Sequence, residues 1–137
     1  MRNDFEELIK GKYYAFKDGL TLQIAYECVI DYMQSHECVH AASLLLSSSL
    51  EPLGFAMLTG DDISMFPLIE DFRIEVAKRA VIFRPGERND LRPTQKEISS
   101  MLSCQEILCE NHMRLYDYVI ISDDSSFSFR EHRRPLI

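Results

Sequence analysis

The chain has 137 residues, of which 46% are hydrophobic, and this suits one domain with a single core. Its formal net charge of -7 disfavours direct binding to nucleic acid, because an acidic chain repels a phosphate backbone. No apolar run approaches the ~20 residues that cross a bilayer, and the N-terminus carries acid where a signal peptide is basic. We therefore expect a cytoplasmic protein without a membrane anchor.

The cysteine spacing gives no indication of a metal site or of secretion. The four cysteines are Cys28, Cys38, Cys104 and Cys109. No Cys-x-x-Cys pair is present, and no histidine lies at zinc-finger spacing from them. We interpret them as reduced thiols in the core.

Residues 1–19 have a weak pattern and are interpreted as an N-terminal extension. Apolar residues that could form one face of a short helix are Phe5, Leu8 and Ile9. Tyr13, Tyr14 and Phe16 follow. In a small domain such aromatic residues pack on the core more often than they form a partner-binding patch. If they were exposed, they would favour a homodimer or a complex.

The next segment predicts a helix and then a hairpin. Thr21 is a suitable N-cap. An apolar stripe with helical spacing follows it at Leu22, Ala25, Val29, Tyr32 and Met33. Residues 39–46 and 53–59 are two apolar runs separated by a turn-rich segment, which is typical of two antiparallel strands with at least one buried face.

A second helix is predicted from Ser64, with Pro67 in its first turn. Its apolar face would hold Met65, Ile69, Phe72 and Val76, and Lys78 and Arg79 would lie in its last turn. Residues 80–83 are short and wholly apolar, which predicts a buried strand.

The last third of the chain predicts one helix and two strands. Thr94 and Glu97 form a Thr-x-x-Glu capping box, which marks the start of a third helix that runs to about Asn111. Residues 115–122 and 126–130 alternate as strands do. The order of elements predicts a single α/β domain spanning residues 1–137, with a mixed sheet, about three flanking helices and a short tail at 131–137.

From residue 39 to 131 the chain resembles the RadC-like branch of the JAMM/MPN (JAB) metalloprotease fold. In that family a strand ends in His-x-His, and Ser-x-x-Asp follows seven residues later, after a proline. The corresponding positions here hold Arg84-x-Gly86 and, after Pro93, Thr94-x-x-Glu97. The family's Asp-His strand and its Ser-Phe strand resemble Asp117-Tyr-Val-Ile-Ile121 and Ser128-Phe-Arg-Glu131.

The resemblance implies a degenerate metal site. The family binds zinc with two imidazoles and a carboxylate, and a glutamate from an upstream strand acts as general base. Arg84 cannot ligate a metal, Gly86 has no side chain, and residues 53–59 contain no glutamate. Thr94 and Glu97 are explained more simply as a helix cap than as a residual ligand pair. We therefore expect no catalytic residue, no bound metal and no cofactor.

Two functional hypotheses follow from the resemblance. The first is a non-catalytic domain that binds another protein through the loop after the strand, with Arg84, Glu87, Arg88, Asp90 and Arg92 as contact residues. By analogy, such a domain could be an inhibitor of host defence carried by a mobile element, for example an anti-CRISPR protein. The alternative is a RadC-like zinc metallopeptidase or DNA-repair-associated factor with a divergent site.

Overall fold

The computed structural model describes residues 4–9, 12–36, 41–58, 76–86, 93–122 and 125–131. Within these ranges the chain forms seven strands and two helices. The elements are β1 (Phe5–Ile9), β2 (Tyr13–Phe16), α1 (Leu22–Ser35), β3 (Ala41–Leu46), β4 (Pro52–Leu58), β5 (Arg79–Pro85), α2 (Gln95–Glu110), β6 (Arg114–Ile121) and β7 (Ser126–Ser128). The prediction of an α/β domain is confirmed.

All seven strands belong to one mixed sheet in the order β1-β2-β4-β3-β5-β6-β7. The pairing of β5 with β6 is parallel, and the other pairings are antiparallel. Parallel neighbours require a crossover connection, and α2 lies in the segment that joins β5 to β6. The predicted hairpin is confirmed as β3 and β4, in which Leu44 pairs with Phe55.

Alternate side chains of β5 belong to two core clusters, one on each face of the sheet. Val81 and Phe83 pack with Ala25 and Val29 of α1. Ala80 and Ile82 pack in the cluster that contains the buried stripe of α2, which is Met101, Cys104 and Leu108. One helix therefore covers each face, and the two apolar faces give a three-layer arrangement.

The predicted N-cap of the first helix is confirmed. The Thr21 side chain accepts a hydrogen bond from the backbone N–H of Ile24 at 3.2 Å, and Thr21 itself has an extended conformation. The predicted apolar stripe of α1 is largely buried against the sheet. The segment therefore forms a helix by local capping and by burial of one face.

The predicted N-terminal helix is wrong, because residues 5–9 form β1. Phe5 pairs with Phe16 of β2, and the Phe5 ring packs edge-on against Phe55 at a centroid distance of 5.1 Å. A helix of one or two turns is marginal in isolation, so strand pairing and aromatic packing decide the conformation. The prediction that Tyr13, Tyr14 and Phe16 pack on the core is confirmed, since all three are buried.

The described residues contain two helices rather than about three. The predicted helix from Ser64 falls mostly outside the described residues. At its predicted end Val76 lies in a turn and Arg79 begins β5, where it pairs with Leu46 and with Arg114. Strand pairing on both sides thus replaces the helical turn that was predicted for Arg79.

The prediction of core cysteines is correct for Cys28 and Cys104, which are buried, and wrong for Cys109, which is exposed. Cys109 follows Leu108 by one residue, which turns it about 100° away from the buried stripe of α2. Cys38 lies outside the described residues.

Candidate functional site

The predicted strand-loop-helix segment begins at the carboxyl end of β5. Arg84 pairs with Ile120 of β6, and its side chain is half-buried. Because side chains alternate along a strand, Arg84 lies on the same face as Ala80 and Ile82, which is the face covered by α2. The N–H of Gly86 donates to the carbonyl of Ile121 at 2.7 Å. The backbone is therefore fixed up to the first residue after β5.

The predicted capping box at the start of α2 is confirmed. The backbone N–H of Glu97 donates to the Thr94 hydroxyl at 3.1 Å. In return, the backbone N–H and the hydroxyl of Thr94 donate to Oε1 of Glu97 at 2.9 and 3.1 Å. The Glu97 carboxylate is thus used in the helix cap, and these contacts are of the kind that starts helices in many proteins.

The structure describes four of the eight predicted site residues. Arg84 and Gly86 lie at the end of β5, and Thr94 and Glu97 lie at the start of α2. The other four, Glu87, Arg88, Asp90 and Arg92, fall outside the described residues. In the ranges that are described, no group of three or more His, Cys, Asp or Glu side chains has an arrangement suited to a metal ion.

A second polar cluster lies on the opposite face of the sheet, and a β-bulge in β6 creates it. Ala80 pairs with Leu115, but the next residue of β5, Val81, pairs with Asp117. Tyr116 is therefore the extra residue of the bulge. A bulge re-aims the side chains around it, and here both Tyr116 and Asp117 face the α1 side.

Asp117 is 1% exposed, and its carboxylate accepts four hydrogen bonds. Oδ2 accepts from the hydroxyls of Tyr26 at 2.8 Å and Ser128 at 2.5 Å. Oδ1 accepts from the backbone N–H groups of Tyr118 at 2.7 Å and Arg130 at 3.0 Å. We call these five residues the Asp117 network. A buried carboxylate is stable only when it is paired or hydrogen-bonded, and this one has a donor for each lone pair.

The network joins three parts of the fold. Tyr26 comes from α1, Asp117 from β6, and Ser128 from β7. The hydroxyl oxygen of Ser128 also accepts from the backbone N–H of Glu131 at 3.1 Å. Burial, followed by the charge of Asp117 and the hydrogen bond to it, raises the pKa of the Tyr26 hydroxyl above its ordinary value. Tyr26 therefore remains a proton donor at neutral pH.

A cavity of about 510 Å³ opens above the Asp117 network. Its lining residues are Leu22, Gln23, Tyr26, Tyr116, Asp117, Ser128, Arg130 and Glu131. The Arg130 guanidinium lies 4.0 Å from the centre of the Tyr116 ring, and its Nη1 donates to the Tyr116 carbonyl at 3.4 Å. Stacking on an aromatic face holds a guanidinium in one orientation.

Sequence reasoning identified Asp117 and Ser128 only as positions that resemble a family pattern, and it gave no role to Tyr26. One feature of the sequence indicates the cluster: Asp117 is the only acidic residue in an otherwise apolar and aromatic strand pattern, from Leu115 to Ile121. An acidic residue at such a position must find donors. Nothing in the local sequence identifies those donors, which lie 11 and 91 residues away.

A comparison of the chain with models of known protein families gives no match, and a search among curated proteins finds no similar protein. Neither described helix is both long and apolar enough to cross a membrane.

Proposed function

We propose that the protein is a non-catalytic binding domain with a RadC-like JAMM/MPN frame, and that it binds another protein near the carboxyl end of β5. The observation that carries this proposal is which residues occupy the positions that correspond to the family's metal ligands. Arg84 replaces one imidazole, Gly86 replaces the other, and the carboxylate of Glu97 caps α2. Arg84 and Gly86 offer a metal ion no neutral nitrogen donor, and Glu97 alone is fewer ligands than a zinc hydrolase uses.

The position of Arg84 supports a role in recognition. Loops at the carboxyl ends of strands in α/β sheets commonly carry binding residues. The backbone of Arg84 is held by the β5–β6 pairing, and its side chain is half-buried. An arginine at this end of the strand suits a carboxylate on a partner, because its planar fork can donate two parallel hydrogen bonds.

The first experiment separates a binding domain from a hydrolase. The protein is purified with added zinc, its zinc content is measured by elemental analysis, and cleavage of a peptide library is followed with and without a chelator. We expect sub-stoichiometric zinc and no chelator-sensitive cleavage. Stoichiometric zinc whose removal abolishes cleavage would establish the alternative, a metallopeptidase with a divergent site.

The second experiment tests the surface. Wild type, Arg84→Ala and Arg88→Ala are compared as baits, with Arg114→Ala as a control that removes an exposed arginine at the opposite end of the β5–β6 pair. A host nuclease of a defence system is the partner class that we propose to test first. We expect the partner to be lost with Arg84→Ala and retained with Arg114→Ala. Equal recovery by all four proteins would exclude this end of β5 as the contact surface.

A further inference from the structure

The cavity above the Asp117 network has features of a binding site that are independent of the function proposed for the end of β5. It lies on the face of the sheet covered by α1, whereas Arg84 lies on the α2 face. Its volume is in the range of small-ligand sites, and a β-bulge at Tyr116 forms part of its wall. A cavity that combines aromatic walls with a few fixed polar groups is a reasonable place to expect a ligand.

Arg130 and Glu131 place two opposite charges in the lining of this cavity. The backbone N–H of Arg130 donates to Asp117, and the backbone N–H of Glu131 donates to the Ser128 hydroxyl. The same buried network therefore holds the backbone of both residues. Both side chains are exposed, and among the described residues neither forms an ion pair. The Arg130 guanidinium is further oriented by stacking on Tyr116.

The charges on the floor and the rim restrict the ligand class. The carboxylate of Asp117 is covered and has all four of its donors within the protein, so it offers a ligand no acceptor. A simple anion attracted by Arg130 would be repelled by Glu131, and a simple cation attracted by Glu131 would be repelled by Arg130. A ligand that carries both charges a few bonds apart satisfies both residues.

We propose that this cavity binds a free α-amino acid as its zwitterion. The carboxylate of the ligand pairs with the Arg130 guanidinium, and its ammonium group pairs with the Glu131 carboxylate. An apolar or aromatic ligand side chain packs against the rings of Tyr26 and Tyr116 and against Leu22. The binding site needs no rearrangement of the Asp117 network.

The test is a titration of the uniformly ¹⁵N-labelled protein followed by two-dimensional NMR, with three probes that share one ring. L-phenylalanine carries both charges, N-acetyl-L-phenylalanine lacks the ammonium, and phenethylamine lacks the carboxylate. We expect saturable shifts at Gln23, Tyr116 and Arg130 with L-phenylalanine. Each single-charge analogue is expected to bind at least about tenfold more weakly, since each loses one charge-assisted pair.

Variants with matched controls complete the test. Arg130→Gln and Glu131→Gln are each expected to weaken L-phenylalanine binding at least about tenfold. Arg114→Gln and Glu110→Gln remove exposed charges outside the cavity lining and are expected to leave binding unchanged. Circular dichroism checks that every variant is folded. The proposal is overturned if L-phenylalanine gives no saturable shifts, if either analogue binds as well as L-phenylalanine, or if the control variants weaken binding equally.

Discussion

Two carboxylates of this protein are held in opposite ways. Glu97 is bound by Thr94, three residues away, at the half-buried start of α2. Asp117 is buried, and two of its donors come from Ser128 and from Tyr26, which is 91 residues away. The first arrangement is a property of a short sequence motif. The second exists only when three elements of the fold have come together, so its loss should affect the whole domain.

The largest effect is expected from Asp117→Ala. The substitution leaves the Tyr26 and Ser128 hydroxyls and two backbone N–H groups without their acceptor in a buried site. We expect the free energy of unfolding to fall by about 4 kcal/mol, measured by urea denaturation.

The control for this substitution is Glu106→Ala, which removes an exposed carboxylate from α2 and should change stability by no more than about 0.5 kcal/mol. Asp117→Asn keeps one acceptor oxygen and should give an intermediate loss. If Asp117→Ala and Glu106→Ala had equal effects, the contrast between a local and a long-range carboxylate would be wrong.

A smaller loss is expected from Ser128→Ala. Ser128 is buried, and its hydroxyl both donates to Asp117 and accepts from the backbone of Glu131. Its removal should lower the free energy of unfolding by about 2 kcal/mol in the same urea experiment. In a double-mutant cycle with Asp117→Ala the two losses should not add, because both changes break the same network. Full additivity would mean that the two residues act independently.

The pH dependence of stability provides a third test, centred on Tyr26. Its pKa is raised in the folded protein, chiefly by burial and then by Asp117. A raised pKa means that the unfolded chain releases this proton first, above its ordinary value of about 10. The stabilising contribution is therefore complete below that pH and is lost as the pH rises above it.

The measurement compares wild type with Tyr26→Phe in urea at neutral and alkaline pH. Tyr26→Phe should be less stable at pH 7, because Asp117 loses a donor. Above about pH 10, the free energy of unfolding of Tyr26→Phe should fall less steeply with pH than that of wild type. The two slopes should differ by about 1.4 kcal/mol per pH unit. Parallel curves for the two proteins would show that the phenol of Tyr26 does not contribute to the alkaline dependence.

The sequence predicted those parts of the fold that depend on near neighbours. The Thr94–Glu97 box and the Thr21 cap depend on residues three positions apart, and the β3–β4 hairpin depends on two apolar runs joined by a short turn; all three are confirmed. The packing of Phe5 on Phe55 and the bulge at Tyr116 depend on residues that are distant in sequence. Helical spacing therefore suggested a helix for residues 5–9, and the donors of Asp117 were not identified.

The segment at the end of β5 and the cavity above the Asp117 network differ in the same way. Arg84 and Gly86 were singled out through the family resemblance, and Thr94 and Glu97 also through the capping-box pattern; all four lie in one strand-loop-helix segment that is continuous in sequence. The cavity that includes Tyr26, Tyr116 and Arg130 is assembled from α1, β6 and the turn after β7. The helical periodicity of the sequence gave Tyr26 no role, because its hydroxyl meets Asp117 only when α1 packs on the bulge of β6.

The smallest effect is expected at the local carboxylate. Thr94→Ala removes the N-cap of α2 and should lower the free energy of unfolding by about 1 kcal/mol, whereas Thr94→Ser should keep most of it. Glu97→Ala should be coupled to Thr94→Ala in a double-mutant cycle, since each side chain accepts from the other residue's backbone.

The same variants also test the proposed loss of metal binding. If Glu97 only caps the helix, added zinc should leave the melting temperature of wild type and of Glu97→Ala unchanged. If Glu97 were a residual ligand, zinc would stabilise wild type and not the variant. That result would replace the capping explanation with a metal site at the start of α2.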